Sequence, residues 1–257
     1  MLKKEEDKFI NSDILEGMSS ISALIKGIEC GKNNRRIIQV LVDSSKTKNK
    51  FREINFLKFK SKELGFTVDL ASSEKIEELT IGNTHGGIIA ICTERTLPQL
   101  SVEAISTNGV YFILDGVEDP YNFGYAVRSL YAAGVDGIIL SERNWMGAAG
   151  VVARSSAGAS ELMNMYVCDP QSAIHLLKSS GYTVVCAGIR DSVSIFDTPL
   201  KKPLLVVLGG EKRGISRNIL NMADSIVRID YGSEFGGSLS TSASAAVFAF
   251  EILRYNR

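Results

Sequence analysis

The chain has 257 residues, of which 45% are hydrophobic and 23% are charged. This length allows one large or two modest α/β domains, and the composition excludes a fibrous or disordered protein. Lysine and arginine balance aspartate and glutamate at 29 each, which argues against a protein that binds nucleic acid through overall positive charge. A charged N-terminus and the lack of an uncharged run of about 18 residues predict a cytoplasmic protein without a membrane span.

The four cysteines are scattered through apolar, strand-like segments at Cys30, Cys92, Cys168 and Cys186. None belongs to a CxxC pair, and none has a nearby histidine. The spacing therefore predicts buried, reduced thiols, with neither a disulfide framework nor a metal site.

Positive charge is concentrated between Lys26 and Lys62, where eleven lysines and arginines accompany three acidic residues. Two interpretations remain open for this segment. It can form a phosphate-binding surface, or it can be the solvated face of helices.

The first part of the chain alternates helices and strands. The pattern predicts helices near 18–30, 50–64 and 72–80, and strands near 36–42, 66–70 and 86–92. Apolar periodicity then disappears around Pro98. We expect a small α/β domain at residues 1–97 and a linker at 98–108.

From Gly109 onward the strands are apolar on both faces, as in "VYFIL", "GIIL", "YTVVCAG" and "PLLVVLGG". Helices are predicted at 123–133, at 171–180 and at the C-terminus. This alternation predicts a second α/β domain, residues 109–257, with a mainly parallel sheet covered by helices on both sides. Ligands of such sheets bind at the carboxyl ends of the strands, so ligand-binding residues are expected in the loops that follow them.

The first such loop lies in the segment "LDGVEDPYNFGYAVRSLYAAG", between a strand and a predicted helix. Asn122 is a suitable N-cap for the helix that follows, and Arg128 lies off its apolar stripe. Arg128 is either an ordinary surface arginine or a ligand for an anion.

The second loop, "LGGEKRGIS", contains Gly209, Gly210, Glu211 and Gly214 directly after a buried strand. It matches neither dinucleotide nor P-loop fingerprints. The glycines form a tight turn or allow a ligand to approach the backbone.

The third loop, "GGSLSTSASAAV", follows a strand that ends near Ile229 and leads into the last helix. Ser238, Ser240, Thr241 and Ser242 supply caps and hydroxyl groups. Small side chains at this junction either permit close helix packing or leave main-chain groups free for a flat, neutral ligand.

Together the three loops resemble the motifs of the SpoU/TrmH family of RNA 2′-O-ribose methyltransferases, members of the SPOUT superfamily. The matching residues are Asn122 and Arg128, then Gly209, Glu211 and Gly214, then Ile229, Ser238, Leu239 and Ser242. The segment "VVARSSAGASEL" resembles the Ser-x-Gly-Ala run of the family. Before residue 98, "EGMSSISALIKG", "RRIIQVLVD" and "GNTHGGIIAI" resemble an L30e-like substrate-binding domain.

The resemblance implies a trefoil knot, S-adenosylmethionine as the cofactor, and a homodimer whose active site uses both subunits. It implies methylation of a ribose 2′-hydroxyl in structured RNA, with 23S ribosomal RNA as the first candidate and no metal. Methylation of tRNA and a non-catalytic RNA-binding protein are the alternatives.

The resemblance also assigns roles to individual residues. Cofactor contacts are expected from Ala187, Gly188, Leu208, Gly209, Gly210, Ile229, Ser238, Leu239 and Thr241. The catalytic group is expected to contain Arg128, Asn122, Glu211, Ser238 and Ser240. RNA contacts are expected from Arg128, Arg154, Ser156, His85, Arg35 and Arg36.

One position departs from the family pattern, because Ser240 stands where the third motif normally has asparagine. A hydroxyl is shorter than an amide and has one donor hydrogen instead of two, so a contact is lost or made through water. The preceding loop, residues 229–239, also carries Asp230, Tyr231, Glu234 and Phe235. These differences affect the expected activity more than the expected fold.

Overall fold

A computed structural model describes residues 14–82, 84–141, 148–210 and 212–257. Contacts divide the chain into two compact units. The first unit is drawn from Met1–Thr96 and Asn144–Leu162, and the second from Leu97–Arg143 and Met163–Arg257.

The described residues form eleven strands and nine α-helices. The strands are β1 (Ile14–Glu16), β2 (Ile37–Asp43), β3 (Thr67–Ala71), β4 (Ile88–Cys92), β5 (Val110–Asp115), β6 (Gly137–Leu140), β7 (Met165–Val167), β8 (Thr183–Ala187), β9 (Val193–Ser194), β10 (Leu204–Gly209) and β11 (Ser225–Arg228). The helices are α1 (Gly17–Glu29), α2 (Phe51–Leu64), α3 (Ser73–Leu79), α4 (Pro120–Ala132), α5 (Ala149–Ser155), α6 (Ala159–Leu162), α7 (Pro170–Ser179), α8 (Arg217–Leu220) and α9 (Thr241–Tyr255). Short 3₁₀ turns occupy Ser44–Lys46 and Val102–Ala104.

The first unit has a four-stranded sheet in the order β1-β4-β2-β3. Strand β4 runs antiparallel to β1 and β2, whereas β2 and β3 are parallel. Its core contains apolar residues of β2, β4 and α1, such as Val40, Ala90 and Leu24, together with Ala153 of α5. The strands and helices predicted before residue 95 are present, and β1 is an additional short strand.

Helices α5 and α6 pack within the first unit, although they come from the second half of the sequence. Gly27 of α1 shows how close this packing is, because a Cβ atom at Gly27 would lie 2.3 Å from the carbonyl oxygen of Glu161. The Glu161 carboxylate is buried and lies 3.2 Å from Nε of Arg35, and it accepts a hydrogen bond from Asn33 at 2.8 Å. Through these contacts residues 148–162 pack in the first unit. The predicted domains, residues 1–97 and 109–257, placed them in the second one.

The second unit contains a seven-stranded sheet in the order β7-β6-β5-β10-β8-β11-β9. All described pairs in it are parallel, which confirms the predicted α/β class. The central strands β5 and β10 are in register from Leu204 opposite Val110 to Gly209 opposite Asp115. The carboxyl ends of four neighbouring strands, β5, β10, β8 and β11, therefore lie along one edge.

The predicted N-cap of α4 is wrong by three residues. The helix begins at Pro120, and its cap is Asp119, whose carboxylate accepts a hydrogen bond from the backbone N–H of Asn122 at 2.9 Å. Aspartate is as good a cap as asparagine, and proline is favoured in the first helical position, so the Asp-Pro pair determines the start. Asn122 lies in the first turn.

All four cysteines are free, but their burial differs from the prediction. Cys92 and Cys186 are buried, Cys168 is partly buried, and Cys30 is exposed just after α1. The described residues contain no group of three or more metal-binding side chains. Within the same residues, no helix combines the length and the apolar character that crossing a bilayer requires.

Candidate functional site

The loop after β10 packs directly on the loop after β5. The backbone N–H of Gly210 donates to the carbonyl oxygen of Asp115 at 2.6 Å. A Cβ atom at Gly210 would lie 2.0 Å from the carbonyl oxygen of Gly116. Glycine is therefore required here because another part of the chain, rather than a ligand, approaches this backbone.

The same loop also closes on itself. Gly214 N–H donates to the carbonyl oxygen of Gly210 at 2.9 Å, and a Cβ atom at Gly209 would lie 2.5 Å from the carbonyl carbon of Gly214. The tight-turn interpretation of these glycines is therefore correct for their backbone. Glu211, which was expected in the catalytic group, lies outside the described residues.

The start of α9 connects the three loops. Ser240 is the N-cap, and its Oγ accepts a hydrogen bond from Ala243 N–H at 3.2 Å. Thr241 Oγ1 donates to the carbonyl oxygen of Gly209 at 3.0 Å, and Ser242 Oγ lies 3.4 Å from Oδ1 of Asn122. The three sequence motifs are thus neighbours in space.

A cavity of about 640 Å³ opens between the second and third loops and the carboxyl ends of β8 and β11. Its volume is in the range of sites for small molecules and cofactors, roughly 300–1,000 Å³. Every residue that the resemblance assigned to the cofactor lines it: Ala187, Gly188, Leu208, Gly209, Gly210, Ile229, Ser238, Leu239 and Thr241.

Other residues of the cavity wall were not predicted. Apolar side chains come from Ile215, Leu220, Ile226 and Phe248, and charged ones from Arg190, Arg228 and Asp230. An apolar wall with exposed main-chain groups suits a flat purine, and side chains of both signs suit an amino-acid zwitterion. The cavity therefore fits the nucleoside and amino-acid parts of S-adenosylmethionine. Arg190 could have been found from the sequence, since it follows the predicted Ala187 and Gly188 closely.

Asp230 is held ionised at the cavity wall. Its pKa is below the ordinary value for aspartate because Ser194 and Arg228 donate hydrogen bonds to the carboxylate. Nε of Arg228 lies 2.7 Å from Oδ1 of Asp230, and Nη1 of Arg228 donates to the carbonyl oxygen of Ser192 at 2.6 Å.

Burial in β8 raises the pKa of the Cys186 thiol to about 12, so this cysteine is not a nucleophile at neutral pH.

An aromatic pair lies in the loop that leads to α9. The Oη of Tyr231 accepts a hydrogen bond from Leu239 N–H at 3.1 Å, and the rings of Tyr231 and Phe235 lie 5.9 Å apart. Both rings line the cavity, yet Phe235 is 59% exposed. This loop forms an outer wall that is open to solvent.

The expected catalytic residues are divided between the cavity and the surface. Ser238 lines the cavity. Asn122 and Ser240 do not line it, but both make hydrogen-bond contacts with the first turn of α9. Arg128 is exposed on α4 and is not among the residues that line the cavity of its own chain.

Most of the expected RNA contacts have internal partners in the first unit. Arg35 is buried against Glu161, and its Nη1 donates to the carbonyl oxygen of Thr93 at 2.8 Å. Arg154 forms an ion pair with Glu16 at 2.9 Å.

Two further candidates are also buried. The Ser156 hydroxyl donates to the carbonyl oxygen of Ala153 at 3.2 Å. His85 is buried, and its Nδ1 accepts a hydrogen bond from Gly87 N–H at 3.1 Å. The structure therefore does not present Arg35, Ser156 or His85 at a surface, whereas Arg36 is exposed.

Two family profiles match the chain. Residues 109–250 match the SpoU rRNA methylase family, and residues 14–98 match the RNA 2′-O ribose methyltransferase substrate-binding family. The first match alone covers more than half of the chain.

Individual relatives extend over almost the whole length. The chain is 27% identical to a 23S rRNA (guanosine-2′-O-)-methyltransferase, RlmB, of Shewanella oneidensis, with 95% of this chain and 98% of the relative covered. The AdoMet-bound rRNA methyltransferase of Sinorhizobium meliloti superposes with a TM-score of 0.78 at 20% identity, covering 98% of this chain and 94% of that one. A crystal structure of an RNA 2′-O ribose methyltransferase gives a TM-score of 0.77 at 19% identity, covering 99% and 95%. These matches show that the chain belongs to the SpoU rRNA methylase family.

Proposed function

We propose that this protein transfers a methyl group from S-adenosylmethionine to a ribose 2′-hydroxyl of structured RNA, with 23S ribosomal RNA as the first candidate. The observation that carries the proposal is the cavity at the carboxyl ends of the strands, because residues of the second and third family motifs line it and Asn122 of the first motif lies 3.4 Å from Ser242 at the start of α9. The name of the Shewanella relative supports 23S rRNA as the substrate. A reaction on ribosomal RNA also supports a cytoplasmic location.

In this proposal S-adenosylmethionine supplies an electrophilic methyl group bound to a sulfonium. Main-chain groups of Gly209, Ile229 and Leu239 hold its adenosine part, and the apolar wall excludes water. The role of the protein is mainly positioning, since in-line methyl transfer depends on alignment of the two reacting atoms.

Arg128 acts on the RNA in this mechanism. A guanidinium remains protonated at all physiological pH values, so it is a poor general base. We assign to Arg128 the phosphate next to the target ribose. Its positive charge lowers the pKa of the 2′-hydroxyl, so that the hydroxyl proton passes to solvent water as the oxygen bonds to the methyl carbon and the carbon–sulfur bond breaks. Asn122 orders the first loop through its contact with Ser242.

A homodimer explains how Arg128 takes part in the reaction although it does not line the cavity of its own chain. The exposed face of α4 presents Tyr121 and Tyr125 beside Arg128, and Phe250 is 47% exposed on α9. Helices α4 and α9 pack against each other, so these aromatic side chains belong to one part of the second unit. We propose that this surface pairs with a second copy, that Arg128 completes the partner's site, and that the loops around the cavity form the trefoil knot.

The first test is transfer itself. The full chain is incubated with radiolabelled S-adenosylmethionine and with either total ribosomal RNA or total tRNA, and the RNA is then digested to nucleosides. We expect label in a 2′-O-methylated nucleoside from ribosomal RNA. Label from tRNA alone would establish the alternative substrate. RNA affinity without cofactor binding in calorimetry would favour the non-catalytic alternative, for which Ser240 is the relevant sequence feature.

Mixing two inactive variants tests the shared site. Arg128→Ala lacks the RNA-binding cation, and Ser238→Trp fills the cavity from the exposed loop. If each site uses both chains, random mixing restores roughly a quarter of wild-type activity, because half of the dimers are mixed and each has one complete site. Unmixed variants serve as controls. No recovery, with dimers confirmed by light scattering, would show that Arg128 serves its own chain.

A further inference from the structure

Helix α2 of the first unit carries three exposed phenylalanines that its packing does not explain. The side chains of Phe51, Phe59 and Phe56 are 67%, 57% and 38% exposed. Leu57 is the only buried residue of this helix, with Ile54 and Leu64 partly buried. Single exposed apolar residues are ordinary, but three within nine positions of one helix form a patch.

The three rings lie on the same face of α2 as its basic residues. With 3.6 residues per turn, the exposed positions fall within an arc of roughly 160°, and Phe51 and Phe59 are separated by about 12 Å along the axis. Arg52, Lys58 and Lys62 are exposed in this same arc. Within the described part of the chain, neither Lys58 nor Lys62 has an acidic partner within 4 Å.

One ring is fixed in place by its neighbours. Nζ of Lys60 lies 5.2 Å from the centre of the Phe59 ring. The same ammonium is anchored by Glu29 and Glu63, both at 2.7 Å. Phe59 therefore presents an oriented ring to solvent, supported from one side by a cation.

The charge pattern identifies the kind of partner. Residues 46–64 contain seven lysines and arginines and two acidic residues, Glu53 and Glu63. Lysine is depleted in the centres of protein–protein interfaces, so a lysine-rich surface is a poor protein-docking site. Aromatic rings between basic side chains are typical of surfaces that bind single-stranded nucleic acid, because bases stack on the rings while the cations contact phosphates.

We infer that the exposed face of α2 is a stacking surface for unpaired RNA, on which bases contact Phe51 and Phe59 and phosphates contact Lys58 and Lys62. The inference rests on the proposed function only in taking RNA as the partner. It assigns to the first unit the recognition of a single-stranded element near the target, such as a loop or bulge, rather than of a duplex.

The test compares affinities of the full chain for two fluorescent RNA probes, an unstructured adenine strand of about 12 nucleotides and a duplex of the same length. Phe51→Leu and Phe59→Leu keep an apolar side chain but remove the ring. Each is expected to weaken binding of the single strand about tenfold and to leave the duplex unchanged. Phe196→Leu is the matched control, because Phe196 is 61% exposed in the second unit.

A second pair of variants tests the charges. Lys58→Gln and Lys62→Gln should each lower the salt dependence of single-strand binding by about 0.7 in the logarithmic slope. Unchanged single-strand affinity in both leucine variants would overturn the inference. The exposed phenylalanines would then be explained by apolar contact with a partner protein. A wild-type protein with no preference for the single strand would also overturn it.

Methyl transfer and cofactor affinity are measured on the same proteins. A wild type that fails to methylate RNA, while the leucine variants lose single-strand affinity, would refute the proposed activity and retain the stacking surface. A wild type that methylates RNA, while the leucine variants bind the single strand normally, would refute only the stacking surface.

Discussion

The hydroxyl of Thr241 donates a hydrogen bond to the carbonyl oxygen of Gly209 at 3.0 Å. This contact joins the first residue of α9 to the last residue of β10, which are 32 positions apart. Both residues line the cavity, so one buried hydroxyl fixes the spacing between two of its walls.

Replacement of Thr241 by valine keeps the shape of the side chain and removes the hydrogen bond. The Gly209 carbonyl loses a partner, and the protein should lose about 1–2 kcal/mol of unfolding free energy. Because the two walls are no longer fixed, the affinity for S-adenosylmethionine should fall several-fold in calorimetric titrations. Thr241→Ser retains the hydroxyl and is the control. Equal cofactor affinity in the valine and serine variants would show that the contact is not needed for the site.

Ser240 caps α9, and this role predicts the effect of restoring the family residue. Serine and asparagine are equally good N-caps, so Ser240→Asn should leave the melting temperature unchanged. Ser240→Ala should lose about 1 kcal/mol, because Ala243 N–H loses its acceptor. If the amide makes an additional contact at the site, methyl transfer by the asparagine variant will exceed that of the wild type. Lower transfer would indicate that this chain has adapted to serine.

Much of the fold was predictable because its strands are apolar and its turns are marked by glycine. The four main strands of the parallel sheet and the helices α1, α2, α3, α4, α7 and α9 were predicted close to their positions. Strand β1 was missed, since three residues are too few for a periodic pattern. The packing of α5 and α6 in the first unit was missed for another reason. It depends on contacts such as Glu161 with Asn33, which are 128 positions apart.

The cavity wall was predictable where the family motifs continue into the loops. All nine expected cofactor residues line the cavity. Three of the six residues predicted to contact RNA, Arg35, Ser156 and His85, are buried, because the side-chain type does not reveal burial. Arg35 and Arg36 are adjacent in the sequence, but the period of two along an extended segment directs Arg35 into the unit and Arg36 toward solvent.

This adjacent pair provides a matched comparison of structural and surface arginines. Arg35→Ala removes the guanidinium that lies 3.2 Å from the buried Glu161 carboxylate and should cost about 3–5 kcal/mol in urea unfolding. Arg36→Ala should change stability by less than about 0.5 kcal/mol, since Arg36 is exposed. If Arg36 contacts phosphate, its loss should weaken RNA binding at low salt. A destabilised Arg36→Ala variant, or a fully stable Arg35→Ala variant, would contradict this assignment.

Asp43 should make the first unit sensitive to acid. Its carboxylate accepts hydrogen bonds from the Ser45 hydroxyl at 2.6 Å, from Ser45 N–H at 2.9 Å and from Ser73 at 2.9 Å. These bonds, led by the Ser45 hydroxyl, lower the pKa of Asp43 below its ordinary value. A group whose pKa is lower in the folded state stabilises the protein above its unfolded pKa, about 3.9 for aspartate, and loses this contribution as pH falls through the folded pKa.

Asp43→Asn tests this dependence by urea unfolding at several pH values. At neutral pH the variant should be about 1–2 kcal/mol less stable, because the amide replaces one charged acceptor by a donor. The difference between the wild type and the variant should stay constant above about pH 5 and shrink below about pH 4. Asp197→Asn, at an exposed position of the second unit, is the control. A difference that persisted unchanged in acid would show that the charge of Asp43 is not the stabilising feature.

Variants of Arg128 distinguish between two roles for this residue, electrostatic assistance and proton abstraction. If its positive charge positions phosphate and lowers the pKa of the 2′-hydroxyl, Arg128→Ala should reduce methyl transfer at least about 100-fold, while the cofactor affinity stays that of the wild type. Arg128→Lys keeps the charge but not the planar fork, so it should retain measurable transfer. Rates are measured from pH 6 to 10 on the same ribosomal RNA. If Arg128 instead abstracts the proton, the lysine variant will gain activity as its ammonium deprotonates near pH 10, and the electrostatic role will have to be abandoned.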